Sequence, residues 1–245
     1  MYLEDYLIFI VLISVCMIFS IYASNKVKTS FSKYNQKEAS SRLTGREVIE
    51  RLMLVNGISE ISISRVRGNL TDHYHPSKKI INLSDSTYDN NSIASVSVAA
   101  HEMGHVLQEK EGYIFYRIRT AIVPIVNFGS RLAMPLVLIG LLIDLFSLNP
   151  DSNIGFYIAM VGVVLYGGAF LFSLITLPVE FDASRKAKKM LLENGILNEN
   201  ELEGSKKVLS AAALTYLASM MTSLVYFLRF LIRILTIFGR RNNNR

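Results

Sequence analysis

Four long apolar runs, at residues 6–22, 132–148, 154–179 and 208–228, interrupt an otherwise polar chain of 245 residues. Each is near or above the ~17–20 residues a helix needs to cross a bilayer, so the pattern predicts about four transmembrane helices. Residues 23–117 carry shorter rhythms. The stretch "LTGREVIERLMLVNGI" (43–58) has helical spacing, with Thr44 and Glu47 as a capping box and Gly57 as a stop. "EISISRV" (60–66) alternates like a strand, Gly68-Asn69 turns the chain, and "KIINLS" (79–84) forms a second strand-like run. These features predict a small sheet beside a helix, with "KIINLS" a candidate for an exposed edge that would pair with an extended substrate, although the sequence does not show which strand is at the edge.

"DNNSIASVSVAAHEMGHVLQEKEGY" (89–113) has Asn and Ser at its start and Gly112 at its end, the signals of one continuous helix. Runs 132–148 and 154–179, joined by the polar turn "NPDSN", read as a membrane hairpin. A hairpin returns residue 180 to the side of the membrane that holds residue 101. "EFDASRKAKKMLLENG" then reads as a helix, with Pro178 setting its entry and Gly195 its stop, and a Glu-rich linker leads to the fourth run. That run either spans and leaves the basic tail outside, or folds back along the interface.

Composition sharpens the membrane reading: 51% of residues are hydrophobic, only 19% are charged, and the mean hydropathy is +0.32. Glu4 and Asp5 precede the first run and Lys26, Lys28, Lys33 and Lys37 follow it, the reverse of a cleaved secretory peptide. The run is therefore an uncleaved anchor, with the loop after it in the cytoplasm. Cys16, the only cysteine, lies inside that run, so no intrachain disulfide can form. The formal charge of +6 is spread over loops and tail rather than set among aromatics. It suits membrane anchoring and gives a nucleic-acid partner little support.

The candidate chemistry lies in "HEMGH". His101 and His105, two of the four histidines, are four apart on a predicted helix and so share a face, with Glu102 between them. H-E-x-x-H in this setting points to a catalytic zinc, which requires a third protein ligand and one open position. No histidine follows His105, so a third histidine downstream is excluded and two carboxylates compete for the place. Glu111 lies about 15 Å along an unbroken helix from His101, beyond reach. Glu180, just past the hairpin, is the stronger candidate; the competing reading makes it an interfacial carboxylate at the membrane edge. With three ligands in place, zinc would activate a water, and Glu102 would take the proton and pass it to the leaving amine. His73 and Tyr74 in "LTDHYHPSKK", with His75 and Tyr88 nearby, are candidates for stabilising an oxyanion or holding substrate, against a reading as a solvated loop. Asp182, Ser184 and Asp72 are candidates for orienting a ligating imidazole.

The segments "LTG", "LTDHYHP", "INLS", "SIASVSVAAHEMGH", "TLPVEFDASRKA" and "AAALTYLAS", spread over residues 43–219, resemble the YugP-type neutral zinc metallopeptidases of bacterial membranes. A looser likeness is to the HtpX and prenyl-protein membrane proteases. The resemblance implies a multi-pass membrane protease with His101, His105 and Glu180 on zinc and Glu102 catalytic. Two positions depart from the pattern: His75 stands where Asp is expected, and Ser184 stands where the looser relatives carry Asp.

The expected architecture is an α+β integral membrane protein, mostly helical, with a gluzincin-like domain. The anchor is 1–24, the metallopeptidase domain 25–117, the hairpin 118–179, the third-ligand helix 180–207, and the last helix with its tail 208–245. The expected function is a zinc metalloendopeptidase with one Zn2+ per chain, cutting membrane or membrane-proximal polypeptides. It would sit in the bacterial cell membrane with its active site facing the cytoplasm. The competing class is a membrane scaffold with a structural zinc.

Overall fold

A computed structural model describes residues 2–146 and 152–243, and within them each apolar run lies in a long helix. The order is α1 (Tyr2–Asn35), α2 (Gly45–Val55), β1 (Ser62–Val66), β2 (His73–His75), β3 (Ile80–Ser84), α3 (Ile93–Lys110), α4 (Ile114–Phe146), α5 (Ile154–Glu193) and α6 (Glu199–Asn243). Residues 149–151 of the "NPDSN" turn and the final residues 244–245 lie outside the described part. The chain divides into two compact units: 1–20, 118–176 and 216–245 form one, and 21–117 and 177–215 form the other.

The first unit is apolar. Its described helical segments belong to the four helices long and apolar enough to cross a membrane, Tyr6–Asn35, Ile114–Phe146, Ile154–Glu193 and Glu199–Thr236. Large apolar side chains such as Val11, Phe128 and Val164 stand more than 60% exposed, an arrangement suited to lipid and unfavourable in water. Inside the unit, α4 and α5 approach closely through small residues. A Cβ on Gly140 would sit 2.5 Å from both the Ala159 amide nitrogen and the Gly155 carbonyl oxygen. Small residues at such a crossing are the usual way membrane helices gain dispersion contacts, since lipid supplies no hydrophobic drive between them.

The second unit has an ordinary hydrophobic core. Ile49 and Leu52 of α2, Ile81 and Leu83 of β3, Val96, Ala99, Ala100 and Met103 of α3, and Ala187 and Leu191 of α5 are all buried in one cluster. The Thr44–Glu47 capping box is formed, and Gly57 takes a positive φ of 59° beyond the end of α2. Ser92 caps α3, accepting from the Ser95 amide at 3.0 Å, and Gly112, with φ 66°, follows its end.

The structure corrects three of the sequence expectations. "KIINLS" is not an edge: the strand order is β1-β3-β2, with β1 parallel and β2 antiparallel to β3. Its alternate residues Ile81 and Leu83 are fully buried, and its other flank is covered by the three-residue strand His73–His75. That partner is too short for alternation to reveal. Pro178 does not open a helix but lies within α5, which runs unbroken to Glu193. One missing backbone hydrogen bond does not outweigh the helix on either side. The Glu-rich linker is the first turn of α6, where the Asn198 side chain accepts from the Glu201 amide at 3.0 Å and Glu201 returns a bond to the Asn198 amide at 2.9 Å. The helix α1 continues past the first apolar run to Asn35.

Candidate metal centre

Three potential ligands converge within the second unit. The donor atoms of His101, His105 and Glu180 all lie within 4.8 Å of one another. His101 Nε2 is 3.1 Å and His105 Nε2 3.7 Å from the same carboxylate oxygen of Glu180. The two imidazoles come from one helix at a spacing of four, with ring centroids 4.8 Å apart and planes at 83°. Glu180 comes from α5, and its approach depends on Gly104. A Cβ there would lie 2.7 Å from the Ala183 carbonyl oxygen and 3.1 Å from its Cα. Gly104 and Ala183 thus let two backbones meet where the ligands face each other.

The surrounding hydrogen bonds fix which ring nitrogens face the centre. The Gln108 amide nitrogen donates to the Val179 carbonyl at 2.8 Å and to the Asp182 carboxylate at 3.0 Å. Its oxygen must therefore face His105 Nδ1, 3.0 Å away, and accept a proton from it. His105 Nε2 is then a lone pair aimed at Glu180, the tautomer a metal requires. The Ser184 hydroxyl lies 3.2 Å from His101 Nδ1 and can accept from it in the same way, leaving His101 Nε2 as the ligand atom. Asp182 is held on its other oxygen by Arg185. Tyr116 stacks on His105 with centroids 6.0 Å apart. Two imidazole nitrogens and a carboxylate oxygen match the three protein ligands of a catalytic zinc.

Glu102 lies between the two histidines in sequence, is buried, and among the described residues makes no hydrogen bond. Burial pushes its carboxyl above the ordinary carboxylate range, while the two imidazoles pull the other way. A carboxylate in this state is a stronger base than one in water.

The remaining candidates are placed elsewhere. His73 is exposed on β2, its ring bonded to the Thr71 carbonyl at 2.9 Å and the Asn82 amide at 3.1 Å. Tyr74 is buried, with its hydroxyl donating to Glu109 at 2.6 Å, and Lys79 shares that carboxylate at 2.5 Å. Burial and then the Glu109 bond push the Tyr74 hydroxyl well above its ordinary range. Asp72 does not orient an imidazole; it accepts from the Ser84 amide and hydroxyl, both at 2.8 Å. Tyr88 lies under the guanidinium groups of Arg46 and Arg65. Glu111 forms the C-cap of α3 and pairs with Lys186. His75 ends β2, with a buried Nδ1 that has no partner among the described residues.

Sequence reasoning missed Gln108 and Gly104. Gln108 could have been flagged by its place three residues after a ligand candidate, on the same helical face. Gly104, inside the H-E-x-x-H motif, could have been flagged as a glycine in mid-helix, which costs about 1 kcal/mol unless packing requires it.

Comparison with known proteins gives a matching family and a curated relative. A family described as "Putative neutral zinc metallopeptidase" matches residues 9–235. Among curated proteins, "Putative membrane protease YugP" of Bacillus subtilis (strain 168) is 43% identical over 237 residues, which is 97% of this chain and 100% of that protein. No solved structure matches the chain significantly.

Proposed function

The chain belongs to this family of neutral zinc metallopeptidases, and on that premise we propose that it is an endopeptidase of membrane or membrane-proximal polypeptides. The observation that carries the reading is the convergence of His101, His105 and Glu180 within 4.8 Å. These three side chains would hold one zinc ion, as the resemblance to known membrane proteases implied. Zinc bound there supplies a water of lowered pKa and polarises the scissile carbonyl.

This chain's own groups do the rest. Glu102, raised by burial, takes the proton of the attacking water and delivers it to the departing amine nitrogen. Gln108 and Ser184 keep the two imidazoles in the required tautomer through bonds of 3.0 and 3.2 Å. The apolar helices place the enzyme in a bilayer, and the lysines after the first run argue for an active site on the cytoplasmic side.

The decisive test is Glu102→Gln in detergent-purified protein, with zinc content and cleavage of a fluorescent protein substrate measured together. The expected result is unchanged zinc and turnover reduced by roughly 10²–10⁴-fold, the usual worth of a general base. A native protein that holds zinc and cleaves no polypeptide would favour the scaffold class, and cleavage that survives the change would remove Glu102 as the general base.

A further inference from the structure

The second unit holds a separate cavity of about 420 Å³, lined by α1 and α6. Four of its lining residues are lysines, Lys26, Lys33, Lys206 and Lys207, against a single carboxylate, Glu203. Glu203 does not neutralise them: its oxygens are 3.5 Å from Lys206 Nζ and 3.9 Å from Lys207 Nζ, and its side chain is 56% exposed. Lys26 and Lys33 make no ion pair among the described residues. Ser30 adds a hydroxyl, and Tyr34 and Leu214 add apolar walls.

The position of these residues along the chain is as informative as their charge. Lys26 stands four residues after the first apolar run ends, and Lys207 stands one residue before the fourth begins. Helices that cross a bilayer pass through the headgroup layer at such positions. A concave site with an excess of three positive charges at that depth matches a phosphate-bearing headgroup, with the apolar walls beside the start of the acyl chains. Scattered surface lysines serving only to set topology would have no need to converge on one cavity.

We propose that the Lys26–Lys33–Lys206–Lys207 cavity binds a phosphate group, supplied by an anionic phospholipid headgroup or by free phosphate. The site stands apart from the metal centre and does not depend on its chemistry.

Native mass spectrometry of the full chain in detergent tests this, with dioleoyl-phosphatidylglycerol, dioleoyl-phosphatidylcholine and inorganic phosphate as the probes. Two variants are compared, K33Q/K206Q/K207Q in the cavity and K78Q/K188Q/K189Q elsewhere, which change the charge equally. We expect phosphatidylglycerol to bind at least tenfold more tightly than phosphatidylcholine. At about fivefold per lysine, the cavity variant should lose that preference while the control variant keeps it. Binding of 10 mM inorganic phosphate to the native chain and not to the cavity variant, without a phosphatidylglycerol preference, would make free phosphate the source. Equal binding of both lipids with no phosphate binding would overturn the proposal. So would a preference that both variants keep or that both lose equally.

Discussion

The chain holds two pairs of histidines, and they make opposite use of the same side chain. On β2, His73 and His75 are two apart. The His73 ring is exposed and bonded to the nearby Thr71 carbonyl and to Asn82, its partner across the sheet. On α3, His101 and His105 are four apart, and their rings converge on a carboxylate from a helix nearly eighty residues later in the chain. At His73, local polar groups bond both ring nitrogens and leave the imidazole nothing to bind, while His75 buries an Nδ1 that has no partner among the described residues. In the helix pair, Gln108 and Ser184 occupy the outward nitrogens so that the inward ones stay available. Which nitrogen carries the proton, and what holds it there, separates a ligand from a solvated side chain.

Removing Glu180 should separate the pairs most sharply. Glu180→Ala deletes the only carboxylate within 4.8 Å of the two imidazole donors among the described residues. It should weaken zinc by more than about a hundredfold, since even lost orienting partners cost 10–100-fold. The check is metal per chain after dialysis against a weak chelator. Zinc that stays near one per chain would exclude Glu180 as a ligand. Gln108→Leu comes next. It keeps the volume but removes the acceptor for His105 Nδ1 and the donor to Asp182. Zinc affinity should fall by roughly 10–100-fold while the helix remains folded. Unchanged affinity would mean that tautomer control does not distinguish the helix pair.

Gly104→Val attacks the same contrast through the backbone. Its side chain would enter space held by the Ala183 carbonyl and Cα, neither of which can swing away. Overpacking of this kind costs about 1–3 kcal/mol, so the thermal midpoint should drop and zinc should weaken with it. Gly104→Ala should show a smaller loss in the same direction. A variant as stable as the native protein would mean that the two helices need not approach so closely.

Much of this arrangement is legible in the sequence, and what is not legible has physical causes. The apolar runs show themselves because a bilayer demands length and uniformity. The α3 signals are strong because Ser92 and Gly112 mark its ends and the His101–His105 spacing matches a helical turn. Glu180 can be singled out because two apolar runs in a hairpin bring the chain back. The central position of β3 cannot be read, because its partner β2 is only three residues long. Nor can the extent of α5 and α6 be read from Pro178 and the Glu-rich stretch, which look like breaks one at a time. Each is overridden by the helix around it. Gln108 escapes notice because its role is set by Val179 and Asp182, more than seventy residues away.

The smallest expected effect is the one that most directly tests the contrast. His73→Ala removes a ring that donates from Nδ1 to the Thr71 carbonyl and accepts at Nε2 from Asn82. Both partners are exposed or half-buried and can turn to water, so the cost in stability should stay below about 1 kcal/mol. Zinc binding should not change, and peptide turnover should move by less than about twofold, because a side chain already bonded on both nitrogens offers no proton to a developing oxyanion. A loss of turnover of tenfold or more with zinc retained would break the comparison. It would mean that the strand pair exchanges its local bonds for substrate, and that both histidine pairs belong to the chemistry.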